Sequence, residues 1–193
     1  VRRIVYLGGL GTATDLSPHL ASRHEVGRIL RASGVPTIEL RASIILGSGS
    51  LSFEMVRALV ERLPVLVTPR WVRQLTQPIA IEDVIAYLVA SSDAEVVGSE
   101  VVEIGGPDQV AYLDLIREHA RQRGLKRLII RVPVLTPRLS SYWVALVTPV
   151  EMGLVKPLVD GLGAEMLVEQ PPPPGLNDHP LGFEDAVKAA LRR

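Results

Sequence analysis

Arg3-Ile4-Val5-Tyr6-Leu7-Gly8-Gly9-Leu10-Gly11 lies at the start of the chain, and its reading decides the fold. Ile4 to Leu7 are apolar without a break and run into two glycines. A strand buried on one face alternates apolar and polar residues, whereas a parallel strand covered on both faces is apolar throughout. The run therefore predicts a central strand of a parallel sheet. Gly8 and Gly9 let the backbone turn tightly or approach a ligand closely. A central strand needs a neighbour on each side, and the segments that follow supply one. Each large apolar side chain left uncovered forfeits about 1.5–3 kcal/mol, and an open sheet edge invites pairing with another chain. The expectation is a chain that starts in the middle of its fold. It would be unstable or aggregate alone, form a homodimer through that edge, or be completed by an N-terminal segment.

Further along, Asp15 or Ser17 caps a helix with Pro18 in its first turn. Leu20, Val26, Ile29, Leu30 and Ser33 mark the apolar face, and Gly34 stops the helix. Thr37 to Leu46 is the next strand. Phe53 to Leu63 has helical spacing, Val65 to Val67 is a short strand, and Pro78 to Ile81 leads into a helix from Glu82 to Ala90. Val101 to Ile104 is a strand closed by Gly105-Gly106-Pro107. Tyr112 to Arg123 is helical, and Arg127 to Val132 is extended. Pro-interrupted apolar segments of helical character then run from Pro133 to Leu162. Glu165 to Val168 is extended, Pro171 to Pro174 is a polyproline spacer, and Phe183 to Leu191 is a closing helix. Strand–helix alternation over the first hundred residues predicts a parallel sheet with helices on both faces. The fold class expected is α/β: the C-terminal part of a Rossmann-type doubly wound parallel sheet with a small mixed α/β appended region. Residues 1–110 form the sheet domain and 111–193 the substrate-side region.

Composition narrows the function. The 193 residues are 47% apolar, which supports a core, and 22% charged, with 21 basic and 21 acidic residues in balance. Such a balance argues against nucleic acid as a partner. There are no cysteines, so disulfides and thiolate metal sites are excluded and a reducing, cytoplasmic location fits. No stretch approaches the roughly 18 apolar residues of a transmembrane segment. His19, His24, His119 and His179 lack metal-ligand spacing, so no metal is expected.

Four stretches in order carry a resemblance. They are Arg3 to Gly11; Ser22-Arg23-His24-Glu25-Val26 running on to Pro36 and Leu40-Arg41; Gln77-Pro78-Ile79-Ala80-Ile81-Glu82-Asp83-Val84; and Val102-Glu103-Ile104-Gly105-Gly106-Pro107. Together they resemble the second half of an atypical short-chain dehydrogenase/reductase, of the NmrA-like, NAD(P)H-binding, epimerase-like group. The resemblance makes Ile4 to Leu7 the fifth strand of a Rossmann sheet. It places the first four strands, with the glycine fingerprint for the cofactor's pyrophosphate, upstream. Gly8-Gly9-Leu10-Gly11 lacks that spacing and reads better as a turn after a strand. Such proteins use NAD or NADP on a small-molecule substrate. Active members carry a Tyr and a Lys one helical turn apart on the helix after this strand; here those places hold His19 and Arg23, the catalytic candidates. Histidine can carry a proton near neutral pH, and Arg can hold a hydroxyl or phosphate. Leu7, Gly8, Gly9, Ala42, Ser43 and Ile44 are the implied cofactor-binding residues.

Arg41, Arg70, Trp71 and Gln77 are the substrate-side candidates. Arg41 inside an apolar strand either pairs with a carboxylate such as Glu39 or Glu54, or points at a substrate. Trp71 with Arg70, Arg73 and Gln77 either faces the substrate pocket or packs a surface loop. Glu82 and Asp83 project about 100° apart on a helix, which suits helix placement rather than paired acid–base work. Tyr142 to Val147 is either a partner- or membrane-facing helix or a buried one. Two functions stand open: an oxidoreductase or epimerase-like enzyme when complete, or a non-catalytic NAD(P)-sensing regulatory or assembly protein. This chain alone is not expected to bind the dinucleotide pyrophosphate.

Overall fold

A computed structural model describes residues 1–11, 16–68, 70–94, 98–132 and 165–192, without the side chains of Arg70, Trp71 and Arg131. The apolar opening run forms β1 (Ile4–Gly9). It pairs in parallel with β2 (Thr37–Ala42), which pairs in parallel with β7 (Glu100–Ile104), in the order β1-β2-β7. Gly8 and Gly9 are strand residues opposite Arg41 and Ala42, not the expected turn. Helix α1 (Pro18–Arg31) lies too close for a side chain there: a Cβ on Gly9 would meet Leu20 Cδ2 at 2.5 Å.

Helices cover both faces of this sheet, because β2 turns different residues to each. Ile38, Leu40 and Ala42 pack with Val84 and Tyr87 of α3 (Ile81–Asp93). On the other face Glu39 meets α1 (Pro18–Arg31). Ser17 caps α1, its hydroxyl accepting from the Leu20 amide at 3.3 Å; Asp15, the alternative cap, lies outside the described residues. The buried residue of α1 is Gly27, whereas Val26 and Ile29 are 41% and 54% exposed, contrary to the expected apolar face. The face turned to the sheet is chosen by Glu39, whose carboxylate needs the room that only Gly27 leaves: a Cβ on Gly27 would stand 2.2 Å from Glu39 Oε2.

The single strand expected from Thr37 to Leu46 is broken at Ser43 and Ile44. The Ile44 amide donates to the Ser43 hydroxyl at 2.5 Å rather than to a neighbouring strand. The chain resumes as β3 (Ile45–Leu46), paired in parallel with β6 (Ile79–Ala80). Between them come α2 (Leu51–Arg62), β4 (Val65–Thr68), a 3-10 turn (Arg70–Arg73) and β5 (Leu75–Thr76). After β7 come β8 (Val110–Ala111), antiparallel to β5, then α4 (Tyr112–Gln122) and β9 (Leu128–Arg131), parallel to β4. The closing helix is α5 (Phe183–Leu191). Phe53, Val60, Leu66, Leu115 and Val187 make the second core between α2, α4 and α5. The strand expected at Glu165 to Val168 is reduced to one bridge, Met166 with Thr76. The segments from Pro133 to Leu162, with Tyr142 to Val147, lie outside the described residues.

Candidate functional site

A cavity of about 190 Å³ opens where β1 and β2 end. Parallel strands that finish together leave a crevice at their carboxyl ends, where ligands of open α/β folds settle. Leu7, Gly8 and Gly9 line it from β1, His19 and Arg23 from α1, and Ala42, Ser43 and Ile44 from the end of β2. Every residue proposed from the sequence for catalysis or the cofactor thus borders one space. His19 is exposed at the rim.

Arg23 is already engaged. Its Nη2 donates to the Leu7 carbonyl at 2.5 Å, and its guanidinium carbon sits 5.9 Å from the centre of the Tyr6 ring. His24 Nε2 contacts the Gly9 carbonyl at 2.9 Å. Backbone groups alternate sides along a strand. The amides of Ile4 and Leu10 face β2 through Pro36 and Ala42, so the carbonyls of Leu7 and Gly9 point to the opposite edge. Arg23 and His24 therefore occupy acceptors on the outer edge of β1. Burial holds the His24 imidazole below its usual range, against the pull of the Gly9 carbonyl.

Of the substrate-side candidates, Arg41 and Gln77 are not among the described residues that line the cavity. Arg41 Nε bonds Glu39 Oε1 at 2.8 Å, and Arg31 pairs with the other oxygen of the fully buried carboxylate. Of the two roles open to Arg41, the structure realises pairing with Glu39. Burial pulls the Arg31 and Arg41 guanidinium groups down; the charge of Arg41 adds to this at Arg31, and Glu103 opposes it at Arg41. Gln77 bridges two backbones: its amide donates to the Gly106 carbonyl at 2.7 Å and accepts from the Val168 amide at 3.1 Å. Arg70 and Trp71 lie on the 3-10 turn, and their side chains lie outside those described.

The inner end of the cavity holds residues the sequence reading did not single out. Tyr112, at the start of α4, and Met166 line it. Burial pushes the Tyr112 phenol up to about 12, with a hydrogen bond from Thr76 acting against it. The fully buried Thr76 hydroxyl is 2.6 Å from that of Ser43. No local pattern links these positions, which are 33 residues apart for Ser43 and Thr76. Among the described residues no group of His, Cys, Asp and Glu could hold a metal ion, and no helix is long and apolar enough to cross a membrane.

No family model and no curated protein matches this sequence. Solved structures do match. An NADPH-dependent quinone oxidoreductase from Escherichia coli, in complex with NADPH, superposes with a TM-score of 0.74 at 18% identity, over 97% of this chain and 65% of that one. The triphenylmethane reductase of Citrobacter sp. gives 0.74 at 14% identity, over 100% and 66%. A UDP-glucose 4-epimerase from Thermotoga maritima, in complex with UDP-glucose, gives 0.66 at 11%, over 100% and 63%. The chain has the fold of NAD(P)-binding reductases and epimerases. It spans about two thirds of the length of these structures.

That Rossmann-type fold sharpens which part of a dinucleotide these residues suit. An apolar cavity with few polar groups suits a flat ring. Gly8 and Gly9 do not suit a pyrophosphate, because what approaches them closely is protein: Glu39 Oε1 stands 3.2 Å from a Cβ on Gly8, and Leu20 blocks Gly9.

Proposed function

We propose that the cavity holds the nicotinamide end of NAD or NADP and that the protein is an NAD(P)-dependent reductase of a small molecule. The observation that carries this is the convergence of His19, Gly8, Gly9, Ala42, Ser43 and Ile44 on one cavity at the carboxyl ends of β1 and β2. The cofactor supplies the hydride. The chain's own part is to seat the ring against Ala42 and Ile44, to exclude water with Leu7, Leu10 and Leu20, and to offer a proton carrier at His19. Arg23 positions the end of β1 through the Leu7 carbonyl.

A second reading, a binding protein that senses NAD(P) without turnover, is favoured by that same contact. A guanidinium committed to a backbone carbonyl is not free to hold a ribose hydroxyl beside His19.

Reduced nicotinamide mononucleotide carries the ring without needing a pyrophosphate site. The expected result is saturable binding to the chain. Oxidation of the bound dihydronicotinamide by a carbonyl or quinone acceptor that is lost in His19→Ala, with binding retained, makes the protein an enzyme. Binding without turnover makes it a sensor. No binding by a folded wild-type chain overturns both.

A further inference from the structure

We propose that a second cavity, at the amino ends of β2 and β7, binds a small apolar molecule that carries a protonated amine. This site is independent of the cofactor reading. Ile38 borders this cavity and Ala42 the other; they stand at opposite ends of β2, about 13 Å apart at strand rise.

The space, about 470 Å³, lies between the sheet, the last turn of α3 and the chain from Pro173 to Leu176. Pockets for small molecules run from about 300 to 1,000 Å³. Small residues leave the room. Ala90 and Ala94, one helical turn apart, have only methyl groups, and Gly175 has no side chain. Ile38 and Val102, 2% and 5% exposed, make an apolar floor. Pro173 and Pro174 add rings with no amide to donate.

Two carboxylates share this space. Glu100 pairs with Ile38 across the strands and precedes Val102 by two residues, so its side chain lies on the floor's side of the sheet. Asp93 comes three residues after Ala90 on α3, which puts both on one helix face. Among the described residues the Glu100 carboxylate has no hydrogen bond or ion pair, and that of Asp93 takes only the Ser92 hydroxyl, at 3.3 Å. Arg3 Nη1 serves the Ser91 and Ser92 carbonyls at 3.2 Å each, and no Lys, Arg or His stands among the described lining residues.

The lining side chains therefore accept hydrogen bonds and offer none. The Gly175 amide is spent on Asp178 at 2.7 Å, and the Ala94 amide on the Ala90 carbonyl at 3.0 Å. A carboxylate or phosphate ligand would find no side-chain donor. An ammonium has three donors and no acceptor, and its hydrocarbon part would cover the apolar floor. A metal does not fit, since among the described residues no group of His, Cys, Asp and Glu could hold one.

Cyclohexylamine and cyclohexanol share an outline, and the amine is protonated at pH 7. Their affinities for the full chain, measured by ligand-observed NMR, test the proposal. Wild type is expected to favour the amine about fivefold, the worth of partly exposed ion pairs. Asp93→Asn and Glu100→Gln, isosteric changes at exposed positions, should each narrow the preference. The double variant should erase it while cyclohexanol binds as before and the melt stays cooperative. Glu25→Gln, which removes a charge from the exposed Glu25–Arg28 pair of α1, should leave the preference intact. A preference that survives the double variant, one that Glu25→Gln also erases, a wild type with none, or a wild type that binds neither compound overturns the proposal.

Discussion

His119 is fully buried on α4, its ring tilted at 42° against Phe53 with centroids 5.7 Å apart. Among the described residues neither ring nitrogen has a hydrogen-bond partner, and a carboxylate oxygen of Glu61 is 3.7 Å away, outside hydrogen-bond reach. Burial holds this imidazole below its usual range. Glu61 pulls it the other way, and Arg123 and Arg57 add to the depression. The direction fixes a dependence of stability on pH. An unfolded histidine takes up its proton as pH falls through about 6.5, whereas folded His119 stays neutral to lower pH. The unfolded state then binds more protons, so stability drops as pH falls below that value. His24, also depressed by burial, contributes in the same sense. Urea midpoints compared at pH 7.5 and pH 5.5, a window above the ordinary range of carboxylates, should be lower at the acid end. His119→Phe should shrink the difference, since a neutral ring keeps the contact with Phe53. An equal drop in wild type and variant would exonerate His119.

Among the elements, the segment from Glu165 to α5 is held across the molecule by side chains of the sheet region, beside backbone bonds at Met166 and Gln170. Glu103 of β7 accepts from the Glu169 and Gln170 amides at 2.7 and 2.9 Å. Asp108 accepts from the Phe183 amide at 2.7 Å. Tyr87 of α3 donates to the Asn177 carbonyl at 3.2 Å. Asp83 takes the Leu181 amide at 2.9 Å and the Asn177 side chain at 3.0 Å, one on each oxygen. Asp83 is thus neither an acid–base partner of Glu82 nor only a charge at a helix start; it ties two distant pieces together. Gly106 completes the joint, since a Cβ there would stand 2.4 Å from the Pro78 carbonyl oxygen. Asp83→Ala leaves the Leu181 amide, in a partly buried position, without its acceptor. A cost of about 1–3 kcal/mol is expected, read as a lower urea midpoint with faster proteolysis between residues 165 and 182. Unchanged cleavage in that segment would show that the other ties suffice.

At the scale of the whole molecule, the parts legible in the sequence are those that short-range pattern controls. The unbroken apolar run of Ile4 to Leu7 announced a parallel strand, and Arg41 stood out because a cation inside a strand needs a carboxylate. What pattern could not show was the identity of contacts across long separations. Ser43 meets Thr76 only because β2 breaks where it does, and α1 turns Val26 and Ile29 outward because Glu39 claims the space at Gly27. The open edge of β1 was also legible, but its partial covering was not. Arg23 and His24 occupy the Leu7 and Gly9 carbonyls there. The Val5, Leu7 and Gly9 amides face the same way, and no strand pairs with them among the described residues. Donors aligned at strand spacing along an edge are a template for another strand, so the two side-chain caps leave the edge half blunted. The chain on its own is therefore expected to self-associate with rising concentration in sedimentation velocity. Val5→Pro removes an outward amide without touching a bond to β2, a position where an edge strand tolerates proline. It should shift the distribution toward monomer while the melt stays cooperative. A wild type that is monomeric across the whole concentration range would mean that Arg23 and His24 already close the edge, and their replacement by alanine should then open it.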